Sequence, residues 1–297
     1  MHLRDQRPAP LLANVRGVLL AAWAAALPAF ARAAPEPVVV RADAAREVVL
    51  TAPAELPEPV RWFALDPIAA DYSNARRCGR PPAEGCHDPI RYRTRPLPAQ
   101  GRSLRVAELP ELSAPGTHRV IAARAGEPGG EVGEEALAGA FTLVVREDDS
   151  YVGYLTELLG VPFVYWPTRV AGAGHQTDAR LGADCVATVI YGRRRMGCGV
   201  PYYVPAVLFR LAAPVPPGPD GAPEVRAGDI LHFGFQTAVL AEDRPPLGRL
   251  DDGDLVVHAY HGLVERVPFG ALPYRVYRHH VLRWPECRPP AGAAARD

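Results

Sequence analysis

The sequence predicts an α+β chain: an all-β sandwich of immunoglobulin-like type, then a second domain mixing helices and strands. Two observations predict it. Between Val38 and Val145, short apolar runs alternate with Pro- and Gly-rich turns. From Asp148 to Trp284, helical periodicity comes first and strand-like runs follow. Turn signals about every 10 residues between short strands are the pattern of a sandwich, and helices followed by an antiparallel series of strands are an α+β layout. The expected boundaries are a leader over 1–33, the sandwich over 34–147, the second domain over 148–285 and a tail over 286–297.

The leader is read from Arg4, Arg7 and Arg16, the apolar stretch Gly17 to Phe30 and the cleavage pattern Ala31-Arg32-Ala33. A basic start, a short apolar segment and a small-residue site make a secretory signal, too short and wrongly flanked to span a bilayer. Cleavage is expected after Ala33, which places the mature chain in the periplasm or outside the cell. No cysteine follows the apolar stretch and no second long apolar run occurs, so no stable membrane anchor is expected. The leader removes four arginines and one aspartate from 33 basic and 33 acidic residues, leaving 29 against 32, a net of −3. That balance argues against nucleic acid as a partner.

The sandwich strands are expected at Val38–Arg41, Glu47–Thr51, Val60–Leu65, Ile90–Arg95, Ser103–Glu108, His118–Ala122 and Phe141–Arg146, with Trp62 in the core. Gly126–Gly139 reads as an exposed hairpin loop. In the second domain Asp149-Ser150 can cap a helix over Tyr151–Leu159, whose Val152, Leu155, Leu158 and Leu159 share a face. A second helix runs from Cys185 to about Arg195, its Arg193-Arg194-Arg195 expected at the solvent-facing C-terminal end. A short helix is expected over Val204–Leu211, then strands at Ile230–Phe233, Thr237–Ala241, Leu255–Ala259, Leu263–Arg266 and Arg275–Leu282.

An exported chain can hold disulfides, and this one has five cysteines. Cys78 and Cys86 flank a short Pro- and Gly-rich loop and can form a local bond; Cys198 and Cys287 can form a second. The odd count leaves at least one thiol unpaired. Cys185 is the choice for it, although a Cys185–Cys198 bond is also open.

Cys185 carries the main functional signal. It follows Asp184 and precedes the apolar run Val186-Ala187-Thr188-Val189-Ile190-Tyr191, which puts the thiol at a helix start. A helix N-terminus favours thiolate, the attacking form. The same placement also suits a buried structural cysteine. Asp184 reads equally well as the helix cap.

The elements fall in an order that resembles a known family. Leu159-Gly160-Val161-Pro162-Phe163-Val164-Tyr165 is followed by Asp184-Cys185, then Gly228-Asp229-Ile230-Leu231-His232-Phe233-Gly234, the strand Thr237–Ala241, and Leu255-Val256-Val257-His258-Ala259. This resembles the NlpC-type cysteine peptidases, papain-like enzymes that cleave peptidoglycan stem peptides. The resemblance covers about Tyr151 to Arg266. It implies a papain-like fold, Cys185 as nucleophile, and His258 as the third polar residue that orients the base. The base position itself is held by Gln236, and a glutamine cannot take a proton from a thiol. Val186 replaces a serine, Phe163 a tyrosine, and Tyr165-Trp166-Pro167 a Trp-Gly-Gly turn. Asp184, Phe163, Tyr165 and His232 are the expected substrate-side residues. His258, then His232, are the imidazoles that can pair with the thiol in place of Gln236.

Two functions follow. One is a cysteine hydrolase cleaving a peptide or amide bond, with peptidoglycan or a peptide as substrate. The other is an inactive NlpC-like domain that binds cell wall or protein. No cofactor and no metal is expected: His258 and His261, or His279 and His280, do not make a strong ligand motif on strands. Asp251-Asp252-Gly253-Asp254 reads as a hairpin turn.

Overall fold

The computed structural model describes residues 35–124, 130–202, 207–219 and 221–287. The predicted leader, the tip of the Gly126–Gly139 loop, the start of the predicted Val204–Leu211 helix and most of the predicted tail lie outside them. The fold is α+β, with two six-stranded sheets.

The first sheet orders Val38–Arg41, Phe141–Arg146, Gly116–Arg124, Val60–Pro67, Tyr92–Gln100 and Glu131–Val132 side by side. Its first pair is parallel and the others are antiparallel. Alternation sets which core the side chains enter: Val60, Trp62 and Ala64 share one, while Leu65, of opposite parity, is buried in another and Arg61 is exposed. A two-stranded ribbon, Val49–Thr51 with Ser103–Arg105, lies over that face. Leu50, Leu104 and Leu112 from this layer share one core with Trp62, Leu143 and Val145. Trp62 is fully buried, and its Nε1 donates to the Gly101 carbonyl at 2.9 Å.

Two helices follow. Ser150 caps the first by accepting the Gly153 N–H at 3.0 Å, and the helix runs Tyr151–Thr156, shorter than its apolar periodicity predicts. The chain continues in turns to Gly160, whose φ of 81° suits only glycine readily. The second helix, Cys185–Arg195, starts at the predicted residue, with Asp184 as its cap. Gly192 lets the two pack closely, since a Cβ there would stand 2.8 Å from the Tyr151 ring.

The second sheet orders Ala213–Pro214, His280–Arg283, Ile230–His232, Thr237–Glu242, Leu255–Ala259 and Val264–Pro268, all antiparallel. One face, with Ile230, Val239, Val257 and Ala259, packs on the Cys185 helix. The other, with Leu231, Ala238, Leu240 and Val256, is covered by Phe269, Leu272 and Tyr274.

Three expectations need correction. The predicted strand Arg275–Leu282 is formed only as His280–Arg283, because the preceding backbone is spent on turns: Arg275 N–H bonds Leu272 and Tyr277 N–H bonds Tyr274. The three helix-end arginines are not a solvated run. Arg193 stacks over Trp284, Arg194 pairs with Asp178 at 2.9 Å, and Arg195 reaches Glu157 at 3.1 Å. Within the predicted hairpin loop, Glu134–Gly139 forms a 3-10 turn whose Glu134 bonds His87 at 2.6 Å.

The described residues belong to one compact unit. Tyr72–Ser73 pairs in parallel with Val164–Tyr165. The Thr117 N–H donates to the Leu159 carbonyl at 3.0 Å, and Arg119 Nη2 to the Arg180 carbonyl at 2.5 Å. Asn74, fully buried, donates to the Trp166 carbonyl at 3.0 Å and to Gln176 Oε1 at 2.5 Å. Disulfides join Cys78 to Cys86 and Cys198 to Cys287, and Cys185 is free. Among the described residues no helix is long and apolar enough to cross a membrane.

Candidate active site and binding cleft

Cys185 opens on a cleft of about 880 Å³ that both halves of the chain line. The first half contributes Asp71, Tyr72, Ser73 and Arg76; the second contributes Phe163, Tyr165, Trp166, His175, Asp184, Gln236, Tyr260 and His261, among others. Five of the seven site residues expected from the sequence therefore share one cavity: Cys185, Asp184, Phe163, Tyr165 and Gln236. His232 and His258 are not in its wall.

Asp184 is the helix cap. Its Oδ1 accepts the Ala187 N–H at 2.7 Å, and the Val186 and Trp166 N–H groups also stabilise the carboxylate. Trp166 sits at φ 65°, in the left-handed region, which aims its N–H at Asp184 and its carbonyl at Asn74. Burial outweighs these donors and pushes the Asp184 carboxyl up to about 6.

The thiol moves the same way. Burial, followed by the neighbouring Asp184 charge, pushes Cys185 up to about 12, against the Thr237 hydroxyl and N–H and the Val186 N–H, which favour its anion. The helix start was expected to lower it. The magnitudes decide the contest: a helix terminus is worth about 0.3–1 kcal/mol, less than one pKa unit, while burying a charge costs several kcal/mol. Cys185 is a neutral thiol at pH 7.

Strand parity explains which residue meets the sulfur. On Thr237–Glu242, Val239 faces the Cys185 helix and Ala238 faces away, so Thr237 faces the helix. The hydroxyl against the sulfur belongs to Thr237, one residue past the expected base position. His258 pairs with Ala238 and shares its face, turned from the helix. Its Nδ1 lies 3.0 Å from the Tyr274 hydroxyl. Its Nε2 lies 3.3 Å from Glu265 Oε1, an ion-pair contact outside hydrogen-bond geometry. Burial holds the ring below its usual pKa, with Glu265 acting against that. The role implied for His258, orienting a base beside Cys185, is therefore not what its contacts serve.

Gln236 is buried at the strand's start, and its Nε2 donates to the Ala259 carbonyl at 2.7 Å. His232 is also buried, with Nδ1 3.5 Å from the Thr237 hydroxyl and Phe209 packed edge-on at 4.9 Å. Phe163 lies 5.8 Å from the His261 ring, and Tyr165 stands edge-on to Trp166 with 45% of its surface exposed.

Sequence reasoning missed the contribution of the first half. Asp71 Oδ1 bonds His261 Nδ1 at 2.7 Å across 190 positions, and His261 holds a left-handed φ of 43°. His175, stacked on Tyr202 at 3.7 Å, is pushed down to about 4 by burial. No local pattern marks either histidine. Compared with family models, curated proteins and solved structures, the chain has no match.

Proposed function

We propose that this chain is an exported protein in which an immunoglobulin-like sandwich is joined to a papain-like domain of NlpC type, and that its cleft binds a cell-wall peptide or related amide without hydrolysing it. What carries the reading is the state of Cys185: a free thiol in the wall of a large cleft, held neutral against Thr237. Nucleophilic catalysis needs a thiolate made by a nearby base. The Gln236 amide is committed to Ala259, and His258 is committed to Tyr274 and Glu265. The aromatic walls, Tyr165, Trp166 and Phe163, suit a ligand with apolar and planar groups. The two disulfides accord with an oxidising compartment.

Titration calorimetry with soluble stem peptide released from peptidoglycan, followed by mass analysis of the mixture, tests this. Equal binding by the parent and by Cys185→Ala, with no product, is expected. Product that depends on Cys185 overturns it in favour of a hydrolase. One observation favours that second reading: His261, aligned by Asp71, lines the same cleft as Cys185.

A further inference from the structure

On the reading of the cleft as a peptide-binding site, we propose that Gln236 recognises an N–H donor of the ligand through its Oε1, with Tyr274 and His258 as the positioning residues that leave that oxygen unspent. Hydrogen-bond direction decides the orientation. The Ala259 carbonyl only accepts, so the Gln236 atom 2.7 Å from it is the amide nitrogen. The Gln236 side chain also favours the Tyr274 phenolate against burial, which places its N–H side toward that hydroxyl. The NH₂ group is thereby turned to Ala259, with Tyr274 on its other side.

Tyr274, almost fully buried, still has its own hydrogen, and His258 Nδ1 is 3.0 Å away. An accepting Nδ1 puts the imidazole proton on Nε2, which faces the Glu265 carboxylate at 3.3 Å. The donors then run in one direction from Tyr274 to His258, whose Nε2 keeps an ion-pair contact with Glu265 and no hydrogen bond. The one polar function left over is Gln236 Oε1, an acceptor, on a residue lining the cleft beside Cys185. Among the described residues no donor reaches it. An acceptor set among aromatic walls favours ligands that bring a donor, because an unpaired partner in a desolvated site is costly. A peptide N–H is the fitting group.

The probe is the stem peptide with a series of singly N-methylated analogues, measured by calorimetry. The parent is expected to lose about tenfold in affinity at one methylated position, the worth of one hydrogen bond. Gln236→Met is expected to bind the unmodified peptide about tenfold more weakly and to lose that discrimination. Nitrogen NMR of the ligand-free protein checks the chain independently: His258 is expected as the Nε2–H tautomer, and Tyr274→Phe is expected to shift both its Nδ1 signal and the Gln236 amide signals. If the parent binds the peptide but tolerates every methylation, or Gln236→Met keeps the same discrimination, Gln236 is not the reader. A proton on His258 Nδ1 overturns the assignment whatever the binding result. If the parent binds no stem peptide at all, the cleft reading falls and takes this assignment with it.

Discussion

The Thr237 hydroxyl lies against the Cys185 sulfur, on the strand face that packs on the Cys185 helix. A hydroxyl can solvate a thiolate but cannot accept its proton at neutral pH. This one contact sets the chemistry expected of the site.

Alkylation of Cys185 by iodoacetamide should be slow and should keep rising with pH beyond 9. With the thiol pushed up to about 12, the thiolate fraction at pH 8 is on the order of 10³-fold below that of an ordinary cysteine. Rates followed by mass spectrometry check this. A rate at pH 7 equal to that of a free peptide thiol would contradict the buried, neutral state.

Placing an imidazole at position 237 should do what the same change at 236 does not. Thr237→His is expected to speed Cys185 labelling at pH 7 at least tenfold, since an adjacent imidazolium lowers a thiol pKa. Gln236→His, at a position whose side chain is tied to Ala259, should leave the rate within about twofold. The reverse order of the two variants would show that the base position is 236 after all.

Glu157 should be among the most costly residues to change. It is fully buried and meets Arg180 at 3.0 Å, Arg195 at 3.1 Å and Arg146 at 3.5 Å, with the Tyr191 hydroxyl bonded to it. Burial pushes its carboxyl up, but the Arg180 and Arg195 charges and the Tyr191 hydroxyl overcome that and hold it below its usual range. Glu157→Gln leaves these guanidiniums uncompensated, a loss of about 3–5 kcal/mol. Because Arg146 belongs to the first sheet and Arg180 to the second half, the parent should unfold in one denaturant transition. Two separated transitions would mean that this cluster does not couple the halves.

Acid should destabilise the fold. Burial holds His118, His175, His232, His258 and His279 below their usual pKa. Below about 6.5 the unfolded chain therefore binds more protons than the folded one, and stability falls as pH falls. Glu157 adds to this: its contribution is present above the unfolded carboxylate pKa and is lost as pH drops through the lowered folded value. Asp184 opposes, since a carboxyl raised to about 6 contributes stability that is present below 3.8 and lost as pH rises through about 6. Five histidines against one aspartate give a melting temperature that declines from pH 7.5 to 4.5. A melting temperature that rises toward acid would mean that Asp184 governs.

Most strands of the first half, though not the 3-10 turns Ala45–Glu47 and Val106–Glu108 that replace parts of two of them, the helix start at Cys185 and the Asp184 cap were legible in the sequence because each rests on local chemistry. Short apolar runs, a capping carboxylate before an apolar run, and turn residues between strands all act within a few positions. The same local reading showed that Gln236 cannot be a base. Tertiary structure decided the rest, and the reason is parity and distance. One residue along a strand changes the face, which is why Thr237 meets the sulfur and His258 does not. The pairing of Asp71 with His261, and of Asn74 with Gln176, joins segments 190 and 102 positions apart, where no periodicity operates. Burial, which only the packed chain sets, turned the helix-start cysteine from an expected thiolate into a neutral thiol.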